Sequence, residues 1–246
     1  MVPTPPLPPH GAGHSSLAAD IEVLSAGAVA PGMHAFALLV KRELGHELKI
    51  QFNTAPQVAK RLAADEIYDI LVSPPLVIEQ AIREGKVVSD NRVSVGRVGG
   101  GIIVRRAAPA PNVTTAETMK QALLDADSVI YNSASTGVYL EKLFASMGIL
   151  EQLQPKTTRY PDGASVMEHV INGKDYEIGF GAITEIKRYA SKGLKFVGPL
   201  PAEVQNYTSY DAALMRGAKS ADAATAVLHL LATPAAKALF TAAGIE

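Results

Sequence analysis

From Asp20 onward, short apolar runs alternate with stretches whose apolar residues recur every three or four positions. Ile21–Leu24 reads as a buried strand, and Ser25-Ala26-Gly27-Ala28 as the turn that follows it. Met33, Phe36, Ala37, Val40 and Leu44 then share one face of a helix that Gly45 closes. Leu48–Phe52 is the next strand, and Val58, Leu62 and Ala63 line the helix after it. Ile70–Val72 is a third strand, ended by Ser73-Pro74-Pro75, and Val77, Ile78, Ala81 and Ile82 give another helix. Strands alternating with helices of this length predict a parallel, doubly wound sheet.

The rhythm breaks at Val93–Arg105, a glycine-studded strand followed by the proline-rich turn Ala107–Pro111. A second series then begins: a helix near Ala116–Leu124, a strand at Ser128–Tyr131 and a helix from Thr136 to Met147. A helix at Ser165–Asn172, a strand at Glu177–Phe180 and a short apolar run at Lys195–Val197 continue it. Tyr207–Met215 reads as a strand that crosses back, and the alanine-rich helices Ala221–Leu231 and Pro234–Ala243 end the chain. The predicted organisation is α/β in two lobes with a ligand cleft between them. Residues 20–98 and 206–246 form the first lobe and 99–205 the second, joined by crossings near Gly96–Gly101 and Pro199–Tyr207.

Composition narrows the chemistry. A net charge of −1 announces no nucleic-acid surface, and the absence of cysteine excludes disulfides, thiolate metal sites and a cysteine nucleophile. No apolar run approaches the roughly 18 residues of a membrane span. Residues 1–19 are rich in Pro, Gly, His and Ser, lack the charged and apolar regions of a secretory signal, and are expected to be a disordered appendage to the fold. The histidines (His10, His14, His34, His46, His169, His229) show no metal spacing, and no metal or other cofactor is expected. Gly96–Gly101 lies inside a strand and precedes no helix, so it is not a phosphate loop; its glycines suit close packing or hinge bending.

Open α/β sheets bind ligands beyond the carboxyl ends of their strands. Five predicted turns lie there: Ser25, Ala26, Gly27 and Ala28; Asn53 and Thr54; Ser73 and Pro74; Asn132, Ser133, Ser135, Thr136 and Gly137; and Gly181 with Thr184. Ala164, ahead of the helix at Ser165–Asn172, joins them. Several open helices, whose free N–H groups favour an anion. Asp162 and Glu185 are the acidic residues nearest these turns.

Seven segments carry a resemblance in order: VLSAGAV (Val23–Val29), FNTAPQVAKRL (Phe52–Leu62), YDILVSPP (Tyr68–Pro75), GRVGGGIIVR (Gly96–Arg105), STGVYLEKL (Ser135–Leu143), GPLPAEVQNYT (Gly198–Thr208) and TPAAKALFTAAGIE (Thr233–Glu246). They resemble the molybdate-binding-type branch of the periplasmic solute-binding proteins of ABC transporters, which has the type II periplasmic-binding fold. The resemblance implies a monomeric periplasmic receptor that delivers a small anion to a membrane permease. It also implies a serine in the first loop and a tyrosine in the second lobe, and these positions fall at Ala28 and Ala182. Arg97, at the crossing, stands where the molybdate binders have a neutral residue, and a planar guanidinium suits a carboxylate. A small polycarboxylate is therefore expected in place of molybdate. The alternative is an enzyme of the aconitate isomerase kind on the same scaffold, a branch resembling these binders. Such an enzyme needs a group able to take and return a proton on carbon, with Glu185, Tyr131 and Tyr207 as candidates.

Overall fold

The computed structural model describes residues 18–246. Residues 1–17, which include His10 and His14 and most of the expected appendage, lie outside the described residues. Ala19 is already part of the fold: its N–H donates to His46 Nδ1 at 3.2 Å and its carbonyl accepts from the Glu47 N–H at 2.9 Å.

The first lobe opens with β1 (Asp20–Ala26), α1 (Ala30–Leu44), β2 (Glu47–Asn53), α2 (Ala55–Ala63), β3 (Ile70–Ser73) and α3 (Pro75–Arg83). β4 (Val93–Arg105) leads into the second lobe: α4 (Ala116–Asp125), β5 (Ser128–Asn132), α5 (Ser135–Ser146), α6 (Leu150–Leu153), β6 (Thr157–Tyr160), α7 (Gly163–Asn172), β7 (Glu177–Ala182), α8 (Ile183–Tyr189) and β8 (Leu194–Pro199). β9 (Tyr207–Leu214) returns to the first lobe, where α9 (Ala221–Leu231) and α10 (Pro234–Ala242) close the chain. The elements form two α/β lobes, the architecture that the resemblance implies.

Strand order repeats between the lobes. In the first, β2-β1-β3 run parallel and β9 joins β3 antiparallel, with β4 beside β9. In the second, β6-β5-β7 run parallel and β4 joins β7 antiparallel, with β8 beside β4. The inner strands of each sheet are buried on both faces, and the pleat sorts the side chains. Ile21 and Val23 enter the core under α1, while Leu24 faces the core under α2 and α3. Val129 and Tyr131 pack toward α5, while Ile130 packs toward α7.

β4 belongs to both sheets. Residues 93–99 pair with β9, and residues 100–105 pair with β7 and β8. Where it changes partners, a side chain continues the ladder. Gln205 Oε1 accepts the Gly100 N–H at 2.9 Å, and Gln205 Nε2 donates to the Gly100 carbonyl at 3.0 Å. A second irregularity sits at Gly96, whose φ of +138° and close approach to the Glu246 carbonyl leave no room for a Cβ. The Arg97 N–H donates to the Glu246 carbonyl at 2.7 Å, and the Glu246 N–H returns a bond to the Arg97 carbonyl at 2.9 Å.

Three elements lie outside the sequence expectation: α6, a single helical turn, together with β6 and α8. β6, Thr-Thr-Arg-Tyr, carries no apolar run because it is an edge strand that stays half-exposed. α8 is seven residues long and divides its side chains among three surroundings. Among the described residues no single helix is long and apolar enough to cross a membrane.

Gln205→Leu removes the amide that satisfies the Gly100 backbone, which keeps weaker partners in Asn206 and Leu200. It is expected to cost about 1 to 2 kcal/mol, measured as a fall of a few degrees in Tm with secondary structure intact.

Candidate functional site

The carboxyl ends of β1, β2, β5 and β7 face a cavity of about 410 Å³ between the lobes. The first lobe contributes residues 26–28 from the turn after β1, and Phe52, Asn53, Thr54, Ala55 and Gln57 from the junction of β2 and α2. The second contributes Asn132, Ala134, Ser135 and Thr136 at the start of α5, and residues 162–164 at the start of α7. Ala182, Glu185 and Arg188 follow from the start and last turn of α8, and Tyr210 enters from β9.

Local hydrogen bonding leaves donors free. Gln57 Oε1 accepts the Thr54 N–H at 2.8 Å in a capping box at the start of α2, and the hydrogen of the buried Thr54 hydroxyl is not taken up by any described residue. Asn132 Oδ1 accepts from the N–H groups of Ala134 at 3.0 Å and Gly137 at 3.4 Å. That arrangement leaves the Ser135 and Thr136 N–H groups at the opening of a 12-residue helix, before its own ladder begins. Asp162 caps α7, its Oδ1 accepting from the Ser165 N–H at 2.8 Å. Its carboxylate thereby offsets the positive end of that helix.

α8 sets the charge of the cleft. Ile183 and Ile186 pack on the second lobe, where Ile186 joins the core under α7. Thr184 Oγ1 donates across the cleft to the Ala28 carbonyl, and Lys187 lies beside Gly244 of the first lobe. The remaining face sends Glu185 and Arg188 into the cavity. The Glu185 carboxyl lies against Gly163, so closely that any Cβ there would collide with it. Burial pushes this carboxyl from its ordinary 4.5 up to about 7; the Arg188 guanidinium opposes the shift and Asp162 adds to it. Burial, then the charge of Glu185, pushes the Tyr210 phenol well above its usual range.

Of the expected positions, Ala26, Gly27, Ala28, Asn53, Thr54, Asn132, Ser135, Thr136, Ala164 and Glu185 line the cavity. The others stand elsewhere. Ser25 is fully buried and its hydroxyl donates to the Ala26 carbonyl at 3.1 Å. Ser73 is fully buried at the end of β3, and Pro74 caps α3, because β3 stops short of the cleft beside β9. Ser133 is exposed, its N–H tied to the Tyr160 carbonyl at 2.7 Å. Gly137 and Gly181 are buried behind the wall, where a Cβ would meet the Asn132 carbonyl and the Met167 methyl respectively. Thr184 is spent on its bond to Ala28.

The expectation that Arg97 enters the cleft needs correcting. The register shift between Ser94 and Gly96 turns its side chain outward, where it is half-exposed and pairs with the Glu246 carboxylate at 3.0 Å. Its guanidinium lies 4.2 Å from the centre of the Tyr207 ring. Tyr207 is itself exposed and does not line the cavity. Tyr131 points into the second lobe's core, its ring 6.1 Å from that of Phe144. The guanidinium that does face the cavity, Arg188, was missed, as were Phe52, Gln57, Gly163 and Tyr210. The spacing of Ile183 and Ile186 was the available signal for α8. Among the described residues no cluster of three or more His, Cys, Asp or Glu side chains is arranged to hold a metal.

The family described as bacterial extracellular solute-binding protein matches residues 21–246. An aconitate isomerase from a Pseudomonas species is 30% identical over 226 residues, covering 89% of this chain and 85% of that protein. The periplasmic molybdate-binding protein of Azotobacter vinelandii superposes with a TM-score of 0.75 at 16% identity, covering 92% of this chain and 98% of its own. The sulfate-binding protein of Mycobacterium tuberculosis superposes with a TM-score of 0.72 at 15% identity, covering 92% and 86%.

Folded Glu185 keeps its proton to about pH 7, whereas the unfolded chain releases it near 4.5, so stability falls as pH rises through that window. Glu185→Gln removes the loss. At about pH 8 the variant is expected to be more stable than the wild type by up to about 3 kcal/mol, and at about pH 4 the two should melt together.

Proposed function

We propose a function from one premise: this chain belongs to the family of bacterial extracellular solute-binding proteins, whose fold serves small anions. The finer reading is that the cleft captures a small polycarboxylate in the periplasm for delivery to an ABC permease. The observation that carries it is Arg188, a guanidinium opposite a first-lobe wall of neutral donors and apolar surface. Its fork matches a carboxylate in two parallel bonds. Ala26, Ala28, Phe52 and Ala182 offer contact to carbon, which a bare tetrahedral oxyanion does not have. A volume of about 410 Å³ also suits an organic anion within the usual range of small-molecule sites. Thr54 Oγ1 and the first turn of α5 supply hydrogen bonds to a second carboxylate.

A second reading, isomerisation of cis- and trans-aconitate, is favoured by Glu185 and by the 30% identical relative named aconitate isomerase. In that reaction the ionised carboxylate removes a proton from the substrate methylene and the C–H pair forms a new double bond. The original double bond's pair then accepts the same proton at the far carbon, which restores the carboxylate. A carboxyl balanced near neutrality can serve in both directions.

Titration with citrate, both aconitate isomers, sulfate and molybdate tests the first reading. Carboxylates are expected to bind and the inorganic anions not to. Arg188→Ala should weaken carboxylate binding roughly 30-fold or more with Tm unchanged. Tight molybdate binding overturns the reading. Interconversion of the aconitate isomers, lost in Glu185→Gln, would establish the second.

A further inference from the structure

We propose that Glu185 meets the bound anion as a neutral carboxyl and donates its proton in a hydrogen bond to a ligand carboxylate, so that at alkaline pH each anion captured takes up one proton. This rests on the carboxylate reading and adds a proton to it.

The argument begins with the charges around the group. On its own helix Arg188 shares the cavity and Tyr189 lies near enough to feel its charge. From the turn before α7 it faces Asp162, and from β9 the phenol of Tyr210. The first-lobe lining, from residues 26–28 and 52–57, carries no charged side chain. The second lobe's other lining residues, at 132–136, 163–164 and 182, are also uncharged. With Glu185 ionised, Asp162 and Glu185 outnumber Arg188, and the cavity is net negative before any anion arrives. With Glu185 neutral, Asp162 and Arg188 balance, and the carboxyl becomes a donor. An entering anion adds negative charge beside Glu185 and excludes water, and both effects favour the neutral form further.

Geometry keeps the carboxyl in place for this role. Gly163 lets it lie flat against the first turn of α7, and Asp162 has already used the Ser165 N–H of that turn. Burial holds the free carboxyl at about 7, so the proton is available near neutral pH and must be drawn from solvent above it. A carboxylic acid kept neutral by its surroundings can donate a hydrogen bond to an anionic oxygen.

The test is calorimetric titration of the full chain with trans-aconitate at about pH 8, repeated in buffers of different ionisation enthalpy. The expected result is close to one proton taken up per anion. Affinity should fall toward tenfold per pH unit above about pH 7. Glu185→Gln, which keeps a donor but cannot ionise, should bind with a nearly flat pH profile and no proton uptake. Binding by the wild type with no proton uptake, or an unchanged pH profile in Glu185→Gln, overturns this inference and leaves the carboxylate reading standing. Failure of the wild type to bind citrate or either aconitate at about pH 6 and pH 8 overturns both. Circular dichroism of the variant separates loss of fold from loss of coupling.

Discussion

A strand that serves two sheets has to keep its backbone hydrogen-bonded while it changes neighbours. β4 meets this constraint at Gly100, where the ladder with β9 ends and the ladder with β7 and β8 begins. The Gln205 amide supplies a donor and an acceptor at the step, and reinforces the longer backbone bonds that Gly100 makes with Asn206 and Leu200. Everything else follows from that continuity. The two sheets share a spine, the carboxyl ends of their parallel strands face one another, and the space between those ends becomes the cleft.

The cleft obtains its character from a helix of only seven residues. The seven residues of α8 present a different surface every hundred degrees: isoleucines to their own lobe, Thr184 and Lys187 to the other, Glu185 and Arg188 to the space between. One acid and one base are thereby fixed three residues apart on a rigid turn. Among the described residues neither is satisfied as an ordinary surface pair would be. Burial raises the acid toward neutrality, and the base remains to receive an anion.

The strand–helix alternation was legible because apolar runs such as Ile21–Leu24 and Ile70–Val72 sit between clear turn residues. β4 was legible for its length and its glycines, and the closing helices for their alanine and leucine spacing. β6 was not, because an edge strand that buries little has no need of apolar residues. In the cleft, the turns after β1, β2 and β5 could be read from strand ends alone. Arg97 misled because its place in the chain lies at the crossing, while its direction depends on a bulge and on Glu246, both remote from local pattern. Arg188 escaped because a helix of two turns, with three separate faces, shows no dominant apolar stripe.

The Thr184 hydroxyl reaches across the mouth of the cleft to the Ala28 carbonyl, and it is buried there. Any parting of the lobes has to break this bond and wet both groups. The cost of that step falls on the protein alone, because neither group is among those offered to an anion: a contact spent between the lobes still weighs on how freely they separate.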